Sequence, residues 1–362
     1  MEKKHQIFFD FLRFCIGSDS EIPSSLKEAD WKELYAIAQK QCLVGVLFDG
    51  IKKLTAEYVG MEKELLFQWM AESQMLEKAN VQLNDAVIQV SEWFRKKGFR
   101  TCILKGQGNA LLYPNPYSRT PGDIDIWVEG GDKRVISFVR SISPHEKACY
   151  HHIEFPSYKG IEVEVHYRPS FLLCFWYNRK LQKYYERVKD EQFSHRVMLV
   201  KQGEVAIPTA EFNLIFQLTH IFSHLMNEGI GLRQLVDYYY VISMLSVNCE
   251  MLTSLQKELK KMGLWEFAGA IMYIMQEVFG MPASRLIVPV NKKYGKFVLK
   301  EVLEAGNFGK HDARNRFGKS QLGHNLQRVY RDIRLVRYYP AEALSEPIFR
   351  TWHFFWRMKN KK

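Results

Sequence analysis

Asp123-Ile124-Asp125 sets two carboxylates two residues apart in a run, Asp123 to Val128, that reads as a β-strand, so both side chains project from one face. Like charges held side by side repel unless a cation lies between them. A hard divalent ion such as Mg²⁺ meets that need, because it takes carboxylate oxygens and keeps positions for phosphate oxygens. For the pair alone, a solvated strand edge is the plainer alternative. In Ile161-Glu162-Val163-Glu164-Val165-His166, apolar and polar residues alternate, which puts Glu162, Glu164 and His166 on one face of a second strand. A third carboxylate is what two-metal nucleotidyl transfer uses to share an ion and to favour deprotonation of an acceptor hydroxyl. Glu164 takes that place, with Glu162 as substitute if Glu164 faces away. His166 either orients Glu164 or hydrogen-bonds within the sheet.

Upstream, Ile103-Leu104-Lys105-Gly106-Gln107-Gly108 ends a strand in a glycine turn and leads into a helix-like piece, Asn109 to Leu112. Backbone N–H groups at a helix start, with a lysine beside them, make a seat for phosphate; Lys105, Gly106 and Gln107 are its candidates. Arg119 either approaches phosphate just ahead of Asp123 or is a solvated loop residue. Further on, His220 and His224 stand four apart, as do Arg233 and Asp237, so each pair shares a helix face. One reading is a substrate pocket facing the carboxylates, with Arg233 on a phosphate oxygen; the other is an Arg233–Asp237 pair and two packed or capping histidines. The aromatics from Phe171 to Tyr177 read as core or cleft wall.

The elements that must position these groups fall in three stretches. Residues 5 to about 98 carry helical periodicity, with an apolar stripe of Trp31, Leu34, Tyr35, Ile37 and Ala38, then a long run from Glu62 to Lys97 stopped at Gly98. Short β-like runs follow at Thr101 to Leu104, Asp123 to Val128, His151 to Phe155 and Ile161 to Tyr167, with helical periodicity from Lys133 to Ile142. After a hairpin near Val197 to Ile207, helix signals return at Glu211 to Met226, Leu232 to Leu245, Leu252 to Met262 and Leu264 to Phe279. Asn307 to Gly318 reads as a loop, and Gln321 to Lys362 as two basic helices separated by Pro340 and Pro347. The expected fold class is α+β: a mixed-sheet core over 99–208, flanked by an N-terminal helical region over 1–98 and a C-terminal one with a basic tail over 209–362.

The 362 residues suit about two domains and leave room for a cleft. The net charge is +11, and residues 310–362 hold 13 Lys and Arg against 4 acids, so that tail supplies +9 of it. Such an excess attracts nucleic acid, nucleotide phosphates or an anionic membrane without choosing among them. Arg328, Arg331, Arg334 and Arg337 recur at spacings of three, which reads as a solvated helix face. Six scattered cysteines form no CxxC pair, and no apolar run approaches the about 18 residues of a membrane span. Reduced thiols and a cytoplasmic protein are the expectation.

The order of glycine turn, DxD strand and third-carboxylate strand resembles the nucleotidyltransferase superfamily to which DNA polymerase β belongs, and more closely a bacterial family of uncharacterised nucleotidyltransferases. The likeness rests on Leu104-Lys105-Gly106, Tyr113-Pro114, Arg119, Gly122-Asp123-Ile124-Asp125-Ile126 and Val163-Glu164-Val165-His166. It extends to His220, His224, Leu232-Arg233-Gln234-Leu235-Val236-Asp237 and Gly306-Asn307-Phe308-Gly309. The resemblance implies an NTP bound with two Mg²⁺ ions, Mn²⁺ being the alternative, with Asp123, Asp125 and Glu164 as metal and catalytic carboxylates and Gly106 as the turn. The acceptor would be a hydroxyl of a small molecule, sugar, peptide or protein. One departure is that Gln107 follows Gly106, where the superfamily has Gly-Ser or Gly-Gly; a non-catalytic binding or regulatory module is therefore the second reading. A nucleic-acid-directed transferase is the third. Lys105 and Gly106 are expected to close the phosphate end of the cleft, with the Arg233–Asp237 helix as the opposite, acceptor-side wall.

Overall fold

The computed structural model of the chain describes residues 2–58, 60–200, 202–245, 248–314 and 320–359. Four helices come first, α1 (Lys3–Ile16), α2 (Trp31–Lys40), α3 (Val44–Ile51) and α4 (Lys63–Lys96). Asp30 caps α2 by accepting from the Lys32 and Glu33 N–H groups. Past the end of α4, Gly98 has φ +81°, the left-handed stop for which glycine is suited. The sheet follows as β1 (Thr101–Leu104), β2 (Ile124–Val128), β3 (His152–Tyr158) and β4 (Ile161–His166), with α5 (Gly106–Ala110) after β1 and α6 (Gly131–Ile142) after β2. Next come α7 (Phe175–Ser194), a hairpin of β5 (Arg196–Leu199) and β6 (Gly203–Ala206), then α8 (Ala210–Asn227), α9 (Leu232–Met244), α10 (Cys249–Lys261), α11 (Trp265–Glu277) and α12 (Lys292–Ala305). The chain closes with α13 (Gln321–Leu335) and α14 (Pro340–Lys359).

The main sheet has the order β1-β2-β4-β3, with β1 antiparallel to β2, β2 parallel to β4 and β3 antiparallel to β4. The two-residue period assigns its faces. Ile124, Ile126, Val128, Val163 and Val165 share a core with Leu83, Val87, Val90 and Phe94 of α4 and with Val135, Ile136 and Val139 of α6. The other face carries Asp125, Glu164 and His166, and Trp127 there packs on Phe193 of α7 and Phe212 of α8 at ring distances of 4.6 and 5.9 Å. The carboxylate face thus looks toward the C-terminal helices. Those helices share a single core with α1 to α3, which joins Phe8, Leu12 and Leu47 to Val236, Phe267 and Phe279.

Several local expectations differ from the structure. Helices α7 and α12 lie where the sequence reading has none; the buried Leu181, Tyr184 and Tyr185 of α7 are interleaved with charged residues that obscure the helical period. Trp176, read as core or wall, is 76% exposed. The last segment forms two helices as expected, α13 and α14, but the break falls ahead of Pro340 and Pro347 sits inside α14. Asn307–Gly309 forms a 3-10 turn, and 315–319 of the expected loop lie outside the described residues. Of the four arginines read as a solvated face, Arg328 and Arg337 are exposed, but Arg331 is buried and Arg334 pairs with Glu301 at 3.1 Å, while Leu326, Val329 and Ile333 are exposed beside them. Cys15, Cys102 and Cys174 are buried, and Cys249 is exposed. No helix among the described residues is long and apolar enough to cross a membrane.

Candidate active site

The turn after β1 is built from two successive residues at positive φ, Lys105 at +52° with ψ −138° and Gly106 at +45°. Glycine takes such a conformation freely, whereas a lysine there stores strain of about 1–3 kcal/mol and is held by its surroundings. Those surroundings are ionic. Lys105 Nζ lies 2.9 Å from Asp125 Oδ2 and 3.2 Å from His220 Nε2. Burial disfavours the ammonium, yet Asp125 and Asp123 outweigh it and raise the lysine pKa. Gly106 and Gln107 open α5, and their N–H groups are first-turn donors without a backbone acceptor. The Gln107 side chain is a correction to the phosphate-binding set: it is buried and donates to the Asn84 side chain of α4, so only its backbone can face the cleft.

Antiparallel pairing sets Leu104 against Asp125, and parallel pairing sets Asp125 against Glu164. The turn and both strands therefore converge. Ligand oxygens of Asp123, Asp125 and Glu164 lie within 4.8 Å of one another. Glu162 is exposed and outside the cluster. Asp123 is open to the cleft, and its pKa is raised by the like charge of Asp125 and then by burial. Burial also opposes ionisation of Asp125, but Lys105 and His166 overcome it and hold that carboxyl low. His166 Nε2 stands 2.9 Å from Asp125 Oδ1 and 3.3 Å from Glu164 Oε2; against its burial, these carboxylates raise the imidazole pKa to about 9. Glu164 is lowered despite burial by the same histidine.

The facing wall corrects two pairings. Arg119 is neither solvated nor free for phosphate: buried, its Nε and Nη2 donate to the two Asp237 oxygens at 2.9 and 2.8 Å, and the Tyr113 hydroxyl donates to the same carboxylate at 2.6 Å. Asp237 thus pairs with Arg119 rather than with Arg233 one turn away. Arg233 instead donates from Nη1 to the Thr120 carbonyl at 3.0 Å, passes near Gly122 and stacks on Phe308, and its Nε is buried without a hydrogen-bond partner among the described residues. This docks the α9 wall on the loop leading into Asp123 rather than across from it. His220 lies between Lys105 and His224, whose Nε2 is 3.1 Å away, and burial and then Lys105 keep its pKa well below the usual value. The Gly306-Asn307-Phe308-Gly309 turn braces this wall, with Asn307 accepting from Gln234 at 3.0 Å and Phe308 packed on His224.

The site residues read from the sequence, Gln107 and the substitute Glu162 excepted, line one cleft of about 430 Å³. Phe171 and Leu173, from the stretch read as core or cleft wall, and Gly122, Gln234 and Phe308, from segments of the family likeness, line it too. Sequence reasoning missed others. His152 comes from the start of β3, Tyr150 and His151 from just before it, and Arg328, Glu346, Phe349, Arg350 and His353 from α13 and α14, which close over the opening. The adjacent His151-His152 pair is the one signal that could have found them.

An α+β fold with a glycine turn, a lysine and three convergent carboxylates in one cleft defines a protein of the nucleotidyltransferase class. Residues 27–280 match the family described as uncharacterised nucleotidyltransferase, and the chain belongs to that family. No curated protein matches it. Among solved structures it is similar to an antigenic nucleotidyltransferase-like protein from Paracoccidioides brasiliensis, at 16% identity over 58% of this chain and 94% of that one. The TM-score is 0.33, a likeness too distant to argue from.

Proposed function

We propose that this chain, as a member of the DNA polymerase β-like superfamily, transfers a nucleoside monophosphate from an NTP to a hydroxyl of a small molecule, sugar, peptide or protein and releases pyrophosphate. The observation that supports this best is the convergence of Asp123, Asp125 and Glu164 within 4.8 Å, with Asp123 open to the cleft and uncompensated by any ion pair among the described residues. Three anions so placed fit a hard divalent cation, Mg²⁺ by preference and Mn²⁺ as alternative. Bound there, the metal would neutralise phosphate charge and acidify the acceptor hydroxyl. Lys105 and the N–H groups of Gly106 and Gln107 would orient phosphate oxygens, and Arg233, a cation with no carboxylate partner among the described residues, would take another. Such catalysis rests on positioning and charge rather than on covalent chemistry. His220, His224 and the aromatic rings around Phe171 would shape the acceptor side.

One observation favours the second reading, a nucleotide-binding module without turnover: Lys105 and His166 each engage one oxygen of Asp125. The nucleic-acid-directed reading gains little from α13, where Arg328 is exposed but Arg331 is buried and Arg334 is ion-paired. Incubating the full chain with each NTP, Mg²⁺ and panels of hydroxyl acceptors, while following pyrophosphate, separates the readings. Release that disappears in Asp123→Asn supports transfer. NTP binding without release in any panel supports the binding module, and absence of both sinks the reading.

A further inference from the structure

We propose that the cleft contains a nitrogen-bearing metal position formed by His152, Glu164 and His166, beside the Asp123–Asp125 pair, and that it takes a transition-series divalent cation such as Mn²⁺ or Zn²⁺ in preference to Mg²⁺. The inference deepens the transfer reading and rests on it only for the neighbouring carboxylate position. One ring nitrogen of each histidine and one Glu164 oxygen lie within 4.8 Å of one another. The His152 nitrogen, Nδ1, is 3.4 Å from Glu164 Oε2, and His166 Nε2 is 3.3 Å from that same oxygen.

The orientation of His166 carries the argument. Its Nδ1 lies 3.3 Å from the Arg168 carbonyl, which can only accept, so Nδ1 bears the hydrogen and Nε2 turns inward. Inward, Nε2 meets Asp125 Oδ1 at 2.9 Å as well as the Glu164 oxygen. Without an ion, a second hydrogen, on Nε2, fills that point as a donor to Asp125, and a divalent cation bound among these groups would displace that proton. An imidazole fixed by a backbone carbonyl on one nitrogen and presenting the other to carboxylates is the arrangement of a metal-bound histidine. The backbone keeps these groups together, because His152 pairs across from His166 on β3 and β4 while Asp125 pairs with Glu164 on β2 and β4. Ligands on strands are held more firmly than ligands on loops.

The donor set decides the ion. Mg²⁺ keeps to oxygen and sheds water reluctantly, whereas imidazole suits zinc and its transition-series neighbours. A third imidazole, His151, has its Nε2 3.0 Å from His152 Nδ1 and its Nδ1 buried without a hydrogen-bond partner among the described residues. Six of the eleven histidines of the chain line this cleft, a wall that an all-oxygen magnesium site does not require.

The test uses the tag-free full chain, stripped with a chelator and loaded with Mn²⁺ alone. Bound ions are counted by equilibrium dialysis, and their ligands are read by pulsed electron paramagnetic resonance as nitrogen hyperfine coupling. The expected result is two bound ions, one of them nitrogen-coupled and retained against a roughly tenfold excess of Mg²⁺. His152→Ala should weaken the coupled ion by about 10–100-fold and leave the other in place; Asp123→Asn should do the reverse. His152→Asn, closer in shape, serves if the alanine variant does not fold. Bound Mn²⁺ without nitrogen coupling, or coupling unchanged in both His152 variants, overturns the mixed-ligand position and leaves the carboxylate site standing. Failure of the wild-type chain to bind Mn²⁺ at all, with or without NTP, overturns both.

Discussion

The Arg119–Asp237 pair offers the sharpest test, because sequence and structure assign Arg119 to different tasks. Asp237 accepts three hydrogen bonds in the interior, two from one guanidinium and one from the Tyr113 hydroxyl, all at 2.6 to 2.9 Å. Both ions are nearly inaccessible, with side-chain exposures of 4% and 6%. Asp237→Asn keeps the volume, removes the charge and turns an amide donor toward a group that can only donate. The buried guanidinium then loses its counter-ion, a change worth about 3–5 kcal/mol of stability. An exposed pair would give only about 0–1 kcal/mol. Replacing both partners, as Arg119→Met with Asp237→Leu, leaves no orphaned charge and should recover most of the loss. Urea unfolding followed by circular dichroism measures all three proteins. A loss below about 1 kcal/mol in Asp237→Asn would show that the pair is not the buried bond described. NTP titration of the folded double variant supplies the second readout. If it loses NTP affinity while divalent-ion affinity is unchanged, Arg119 belongs to the phosphate site and the structural assignment fails; a displaced Asp123 loop would damage both.

Asp123→Asn should retain or slightly raise thermal stability, since it removes repulsion with Asp125, yet lose metal-dependent NTP binding; equal NTP affinity in mutant and wild type would end the metal assignment. Lys105→Ala and Arg233→Ala should each weaken pyrophosphate binding by about tenfold, because Arg233 is docked on the loop entering Asp123; undisturbed pyrophosphate binding in Arg233→Ala would return it to a separate acceptor wall. Glu342, buried and accepting from the Leu173 and Cys174 N–H groups at 2.7 and 3.2 Å, has its pKa pushed from 4.5 up to about 7 by burial. The folded chain therefore holds a proton that the unfolded chain releases above 4.5, so this contribution is full below pH 4.5 and is lost as pH rises to about 7. Melting temperatures recorded from pH 4.5 to 8 should show that decline in the wild type and a shallower one in Glu342→Gln, where Asp332, raised by burial to about 7, still contributes.

The sheet was legible because its signal is local. Alternation in Ile161 to His166 and the DxD of β2 state which side chains share a face, and strand pairing then had few ways to bring them together. The pairings of the opposite wall were not legible for the converse reason. Arg233 and Asp237 are one helical turn apart, and spacing alone suggests a bond between them. The partner of Asp237 is decided by what α9 packs upon, and that is Arg119, 118 positions away. Arg328, Arg350 and His353 enter the cleft only because α13 and α14 fold back over it, which no pattern within those helices encodes. Helix α13 is the extreme case, since its arginine period predicts a wet face and its structure turns Arg331 inward. Charge periodicity reports a stripe; packing decides which way the stripe looks.

That division has a consequence for where selectivity resides. Asn80 of α4 donates to the Tyr117 and Arg119 carbonyls at 2.9 and 2.8 Å, and Asn84, one turn on, accepts from Gln107. One long helix thereby fixes both the glycine turn and the loop entering Asp123, so the phosphate end is set by α4 and the sheet. The α9 wall is tied to the N-terminal region through Gln41, which accepts from the Leu232 N–H at 2.8 Å and donates to the Val302 carbonyl at 3.3 Å. These tethers are buried, the Asn80–Tyr117 bond partly so, and leave little freedom for either end. By contrast, the rim formed by Tyr150, Phe171, Phe349, Arg350 and His353 is held by aromatic contacts of 5.2 to 5.8 Å and a 3.3 Å hydrogen bond from Arg350 to Asn325 of α13, while the buried bonds from the Leu173 and Cys174 N–H groups to Glu342 anchor only the first turn of α14. On the transfer reading the acceptor must enter past this rim, since the turn, the carboxylates and Arg233 occupy the other end. Changes in Phe349 or Arg350 should therefore alter which acceptor is used while leaving NTP and pyrophosphate affinity intact, and changes in Asn80 should do the opposite.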